Sequence, residues 1–177
     1  HLNGGVEWSR GSILFDDLNI DGVVASLGGL RSLTHTDSLS GGMKYAVSLD
    51  GSPADPRVKL NVVLHEPSWN GVGFDAGGLT AHVRGDTVTV ERAFLDHGAL
   101  RILAEGICDY KQRSGTAGIV FSGKTKGNGF SPLGRIEAVF DLHDTSAVAV
   151  GLKGREISGR IPEMVLPMFS GADGMIG

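Results

Sequence analysis

The residues that could take part in chemistry are few, and the most suggestive of them spell a phosphate-binding loop. Residues 118–125 read GIVFSGKT, which matches the spacing G-x-x-x-x-G-K-[ST]. In a working loop of this kind, a strand precedes the first glycine and a helix begins near the lysine, so that backbone amides surround the phosphate. Here the apolar residues lie inside the motif, and Gly127, Gly129 and Pro132 follow it. We therefore expect this segment to be a strand that binds no nucleotide.

The other candidate groups do not form a recognisable catalytic or metal site. Asp16 and Asp17 are adjacent, and adjacent side chains on a strand point to opposite faces, so they cannot form an acid–base pair there. Cys108 is the single cysteine, which excludes an intramolecular disulfide framework and a cysteine zinc cluster. The histidines are scattered, without an H-x-x-x-H or H-E-x-x-H spacing: His35, His65, His82, His97 and His143. We expect no cofactor, metal site or catalytic residue, and hence no enzyme, although an active site assembled across strands would leave no such signature.

Composition places the chain among folded globular proteins. Its 177 residues are 41% hydrophobic and 20% charged, which suits a single domain spanning residues 1–177. Unbroken apolar runs reach only four to six residues, too short for a transmembrane helix. Lys and Arg number 16 against 20 Asp and Glu, without a basic run, so we expect no nucleic-acid partner. The chain begins at His1 without a signal peptide, and we expect it to be a fragment or processed product of a longer protein.

The pattern along the chain predicts β-strands. Glycine is unusually frequent, at 28 residues, and separates short segments in which apolar and polar residues alternate. Such segments recur every 10 to 15 residues, which predicts an antiparallel meander with one apolar face. The residues predicted to share that face are Met43, Tyr45, Val47, Leu49, Val58, Leu60, Val62, Leu64, Leu79, Val83, Val88, Val90, Leu100, Ile102, Ile119, Phe121, Ile136, Phe140, Leu142, Val148, Val150 and Leu152.

Two segments depart from the alternation. Val23, Leu27 and Leu30 have helical spacing behind Asp21, which could act as an N-cap, so we expect one short helix here. Gly28 and Gly29 limit its length. The apolar tail at residues 161–169 contains two prolines and is predicted to be a loop or short helix packed on the sheet.

A sheet of this size has a large apolar face and few helices to cover it. Aromatic residues make up only 6% of the chain, which is little material for a thick core. The sheet could close into a barrel, fold into a sandwich or curl into a groove. A packed sandwich is the plain structural alternative. A face of Val, Leu, Ile and Ala would equally suit a slot for acyl chains, which need a dry aliphatic wall and no specific polar contact.

Several stretches resemble a known family. Residues 39–58 read LSGGMKYAVSLDGSPADPRV, a glycine-rich strand followed by an "adP.v" phrase, and residues 77–106 continue with a series of alternating strands. Residues 13–33 are similar to a lead-in that contains a short helix. Together, residues 11–106 resemble the repeats of the TamB and AsmA-like family.

The resemblance implies a fold, a location and a role. The fold would be a β-taco, a long antiparallel sheet curled around an apolar interior groove. The location would be the periplasm of a Gram-negative bacterium, with the full-length protein anchored in the inner membrane. The groove would carry phospholipid acyl chains between the inner and outer membranes, or assist the assembly of outer-membrane proteins. A barrel partner in the outer membrane would be contacted through regions outside this sequence.

Two other classes fit the same composition. A structural or adhesive extracellular β-domain would also be glycine-rich and all-β, but its interior would be closed by its own side chains. An enzyme on a jelly-roll sandwich would need polar residues that converge in a cleft, which the alternation does not display. The discriminating observation is whether the apolar face is covered by other parts of the protein or left open.

Overall fold

The computed structural model describes residues 1–9, 11–30, 39–69, 71–126, 129–141 and 149–155. Over these ranges the chain is almost entirely β-strand, as the alternation predicts. The strands are β1 (Leu2–Ser9), β2 (Ser12–Val24), β3 (Leu39–Ser52), β4 (Asp55–Trp69), β5 (Val72–Gly73), β6 (Ala76–Arg84), β7 (Thr87–His97), β8 (Leu100–Asp109), β9 (Ser114–Lys124), β10 (Phe130–Asp141) and β11 (Ala149–Arg155).

All strands belong to one antiparallel sheet. Its order is β1-β2-β3-β4-β6-β7-β8-β9-β10-β11, and the two-residue β5 pairs with the end of β4. Apart from β5, each strand therefore lies beside its neighbours in sequence, and the predicted meander is confirmed. Over the described residues, the end strands β1 and β11 do not pair with each other, so this part of the chain does not close into a barrel.

The register follows from the alternation of apolar residues. Across β3 and β4, the Cα partners include Tyr45 with Val62 and Val47 with Leu60. Directly opposed residues of an antiparallel pair point to the same side, so each apolar residue meets another across the strands. A slip of one residue would turn the whole set to the other side, and this penalty stabilises the observed register.

Two β-bulges interrupt the longest strands in the same way. Gly41 has a φ of 106° and lies against Glu66, whose φ is 47°, where the β3–β4 register shifts. Gly4 (φ 121°) lies against Asp17 (φ 49°) between β1 and β2. A Cβ atom on Gly41 would stand 2.6 Å from the carbonyl oxygen of Glu66, so only glycine fits without a backbone shift. Bulges of this type bend a strand and increase its twist.

The expected helix start at Asp21 is wrong. Residues 21–24 continue β2, where Asp21 pairs with Ala46 and Val23 pairs with Lys44. The helical element of the described ranges is a single 3-10 turn, Leu27–Leu30. Adjacent β-branched Val23 and Val24 favour a strand, and pairing with β3 satisfies backbone groups that a short, glycine-containing helix would leave exposed. The expectation for residues 161–169 falls outside the described residues.

No helix in the described part of the chain is both long and apolar enough to cross a membrane.

Candidate functional site on the apolar face

One face of the sheet is apolar from β3 to β10. A continuous row of Cα partners runs across it from β3 to β10: Tyr45, Val62, Leu79, Ala93, Ala104, Ile119 and Ile136. The predicted face residues whose side chains are described lie on this same side, which we call the apolar face. Val150 and Leu152 are Cα partners of Phe140 and Ala138, and so occupy matching register positions on β11. Leu142 and Val148 lie outside the described residues.

The sequence prediction missed part of this face. Leu18 and Ile20 of β2 are Cα partners of Leu49 and Val47 and extend the apolar face toward β1. Leu18 and Ile20 alternate with polar residues, as the apolar residues of β3 do, so the sequence contains the pattern that could have identified them. Ala93 and Leu95 were missed for a different reason. A bulge between Val90 and Ala93 breaks the alternation of β7, so counting by twos from Val90 puts both residues on the wrong side.

The middle of the apolar face is half-buried. Leu60, Val62 and Leu79 lie near its centre, yet none of them is fully buried. In a two-layer domain the central row of a sheet is covered by the second layer and becomes fully buried. Among the described residues, the extensive contacts of each strand are with the strands it pairs with, and the main contact of the 3-10 turn at Leu27–Leu30 is with β3. The described part of the chain therefore provides no second layer over the middle of the apolar face, whose side chains stay incompletely buried.

Two adjoining hollows lie on this uncovered area. The larger has a volume of about 420 Å³. Its lining residues include no charged side chain: Met43, Val62, Leu64, Gly78, Leu79, Ala93, Phe94, Leu95, Ile102 and Ala104. The second, of about 270 Å³, shares Leu79, Ala93 and Ala104 with the first and extends along β8 toward Phe140. Such a lining favours apolar groups and offers few partners for polar ones.

The apolar face is closed at one end of the strands. Phe74, in the turn between β5 and β6, packs with Leu100 and Phe121 in a cluster of buried apolar side chains. Leu100 is only 1% exposed, and Phe74 and Phe121 are each 8% exposed. The 3-10 turn, with buried Leu27, connects β2 to β3 at this same end. The same apolar face is therefore covered by a buried cluster beneath Phe74 and is incompletely covered farther along the strands.

The opposite face of the sheet, called the polar face here, carries several ion pairs, and it also exposes the apolar side chains of Val23, Val63, Ile107 and Val139. Arg101 binds Asp96 through two hydrogen bonds, and the pairs Arg135–Glu105, Arg57–Asp50 and His82–Glu91 lie on the same side. The hydrogen bonds that Arg101 donates to Asp96 raise the pKa of Arg101, and burial partly offsets this effect. Charged groups in this arrangement suit contact with water. The two faces therefore differ sharply in chemistry, and the apolar face is the candidate functional site.

The groups considered for catalysis lie apart. His65 and His82 belong to β4 and β6, and His97 lies at the end of β7, whereas His35 and His143 lie outside the described residues. Within the described ranges, no three His, Cys, Asp or Glu residues approach closely enough to hold a metal ion. Cys108 is a free, half-buried thiol on β8. Residues 118–124 of the phosphate-loop spelling lie in β9 and pair with β8 and β10, so their extended backbone does not form a phosphate cradle.

No family model, curated protein or solved structure that was compared with this chain matches it. Its function has to be inferred from the sheet itself.

Proposed function

We propose that the apolar face binds the acyl chains of phospholipids. The observation that supports this most directly is the incompletely buried centre of the face, with hollows lined mainly by aliphatic side chains and no charge in the larger one. Exposed apolar surface that is continuous rather than scattered marks a binding surface on a folded protein. The ligand must itself be apolar, because the larger hollow offers no charged partner.

Acyl chains fit the chemistry of this face better than aromatic or polar ligands do. Burial of apolar surface contributes roughly 25 cal/mol per Å² and is non-directional, so a flexible hydrocarbon can lie in several positions. The head group would remain in water. Binding should therefore depend on chain length and only weakly on the head group.

The resemblance of residues 11–106 to the TamB and AsmA-like repeats extends the proposal to a place and a role. That range includes β2 to β7 and most of β8, which provide most of the lining of the larger hollow. We propose a segment of a cell-envelope conduit in the periplasm of a Gram-negative bacterium. It would carry acyl chains between the inner and outer membranes, or assist outer-membrane protein assembly, with a sheet that is curled into a groove. This role requires binding but no catalysis.

A structural or adhesive extracellular β-domain is the second candidate. The buried cluster around Phe74 and Leu100 favours it, because that end of the face is closed by the chain's own side chains. If the whole face were closed in this way, no site for a lipid would remain.

Photo-crosslinking separates the two candidates. A photoreactive amino acid is placed at Val47 or Leu64, on the apolar face, and at Lys44 as a matched position on the polar side of β3. The conduit proposal expects phospholipid adducts at Val47 and Leu64 but none at Lys44. Equal labelling at all positions, or none at the first two, would favour the structural β-domain.

A further inference from the structure

The Phe74 turn, defined here as residues 71–75, places an aromatic ring over one end of the apolar face. The ring packs against Leu100 and Phe121, and half-buried Leu95 and Ile102 pack around this cluster. Leu95 and Ile102 also line the larger hollow. The buried cluster and the hollow are therefore neighbouring parts of one apolar surface, and Phe74 fills the first part.

The turn is anchored by hydrogen bonds as well as by the ring, which also lies edge-on to the ring of His97 at 5.9 Å between centroids. Its backbone and Asp75 make hydrogen bonds to the ends of β4 and β7: Phe74 N to Pro67 O (2.7 Å), Asp75 N to Asp96 O (2.8 Å), Gly98 N to Asp75 Oδ2 (2.7 Å), and His97 Nδ1 with Gly73 O (2.7 Å). None of these hydrogen bonds uses the Phe74 side chain. Removal of the ring should therefore leave the turn in place and open an apolar cavity beneath it.

We propose that Phe74 is a specificity-determining residue of the acyl-binding surface, whose ring occupies the stretch formed by Leu95, Leu100, Ile102 and Phe121 and so limits the length of chain that the face accepts. This inference rests on the proposed function. Its physical basis is that the ring and a hydrocarbon chain compete for the same dry surface. A cavity lined by Leu, Ile and Phe stays dry and binds apolar molecules, so the space freed by losing the ring is available to the ligand.

The test maps where a fatty acid lies on the purified 177-residue chain. The probe is hexadecanoic acid with a diazirine on its terminal carbon, and its adducts are located by peptide mass spectrometry. In the unaltered protein, adducts are expected around Val62 and Leu79 but not at Leu100 or Phe121. In Phe74→Ala, adducts should spread to Leu100 and Phe121. Affinity for the probe should rise roughly tenfold, as expected if about two more methylene groups become buried.

Two further variants keep the result interpretable. Phe130→Ala removes an equal ring from the polar face, where Phe130 stacks on Arg101 at 4.1 Å, and should leave the adduct pattern unchanged. Asp75→Ala keeps the ring but removes the acceptor for Gly98 N. It should loosen the turn, so that Leu100 and Phe121 become labelled, although less strongly than in Phe74→Ala. This variant tests the proposal even if Phe74→Ala fails to fold.

The outcomes distinguish this inference from the function on which it rests. Labelling around Val62 and Leu79 in every variant, with none at Leu100 or Phe121 in either turn variant, would overturn the role of Phe74 and leave acyl binding intact. Labelling at Leu100 and Phe121 in the unaltered protein would also overturn it, since the ring would then exclude nothing. Absence of adducts from all variants would overturn the acyl-binding proposal itself.

Discussion

Arg101 and Asp96 form a two-point ion pair on the polar face, directly behind the apolar contact between Leu95 and Ile102. Nε of Arg101 donates to Oδ1 of Asp96 at 2.6 Å, and Nη2 donates to Oδ2 at 2.5 Å. The two residues are Cα partners across β7 and β8, as are Leu95 and Ile102 one position away. Because neighbouring pairs point to opposite faces, the ion pair fixes the register that keeps Leu95 and Ile102 on the apolar face.

Loss of this ion pair should destabilise the fold. Arg101 and Asp96 are 24% and 16% exposed, so Asp96→Asn leaves a half-buried guanidinium without its charged partner. We expect the free energy of unfolding to fall by about 1.5–3 kcal/mol, the range for hydrogen bonds to charged groups. The matched control is Asp50→Asn, whose pair with Arg57 is 44% and 60% exposed and should contribute about 0–1 kcal/mol. Urea unfolding measures both, and equal losses would contradict the structural role of Asp96.

The Arg101–Asp96 pair should stabilise the fold by the same amount from neutral to alkaline pH. The hydrogen bonds that Arg101 donates to Asp96 raise the pKa of Arg101 in the folded state. A cation with a raised pKa stabilises the fold fully below its unfolded pKa, and the stabilisation is lost only as pH rises through the folded value. Between about pH 7 and about pH 10, both below the ordinary pKa of arginine, the stability difference between wild type and Asp96→Asn should stay constant. A stability difference that shrinks within this pH range would show that the ion pair is not its source.

The bulge at Gly41 should tolerate no side chain. Its φ of 106° is costly for an L-residue, and a new Cβ would meet backbone atoms of Glu66 and Pro67 within 2.8 Å. Gly41→Ala should therefore lower the free energy of unfolding by about 1–3 kcal/mol or more. Gly73→Ala is the control, because a Cβ there meets nothing within 4 Å and its φ is not positive. Thermal unfolding compares the two, and a neutral Gly41→Ala would exclude the steric explanation.

The sequence predicts this fold well where alternation is unbroken and poorly where the chain bends. Tyr45 and Val62 could be assigned to one face because each lies in a long alternating run. Leu95 could not, since the β7 bulge between Val90 and Ala93 shifts the alternation without a glycine or proline to mark it. Phe74 shows a different limit. It is an apolar residue in a glycine-rich turn, and the strands β6 and β7 separate it from its partner Leu100 in β8. No local sequence pattern encodes such a contact.

The phosphate-loop spelling should have no functional consequence. Lys124 is an exposed residue at the end of β9, and the backbone of residues 118–124 is engaged in sheet pairing. Lys124→Ala should change the free energy of unfolding by less than about 0.5 kcal/mol, as for most surface substitutions. Isothermal titration with ATP should detect no binding to either protein. Affinity for ATP that disappears in Lys124→Ala would show that β9 rearranges into a phosphate site.

A charge in the middle of the apolar face should abolish acyl binding. Leu60 lies between Val47 and Ala81 in the register, and Leu60→Asp would place an unpaired carboxylate where hydrocarbon is proposed to lie. Because an unpaired ion beside apolar groups is costly, adducts of the diazirine fatty acid should be lost from the whole face. Lys59→Asp puts the same group one residue away on the polar face and should leave labelling unchanged. Circular dichroism must first show that both variants keep their strand content. Labelling that persists in a folded Leu60→Asp would mean that the ligand lies elsewhere, and the acyl-binding face would have to be abandoned.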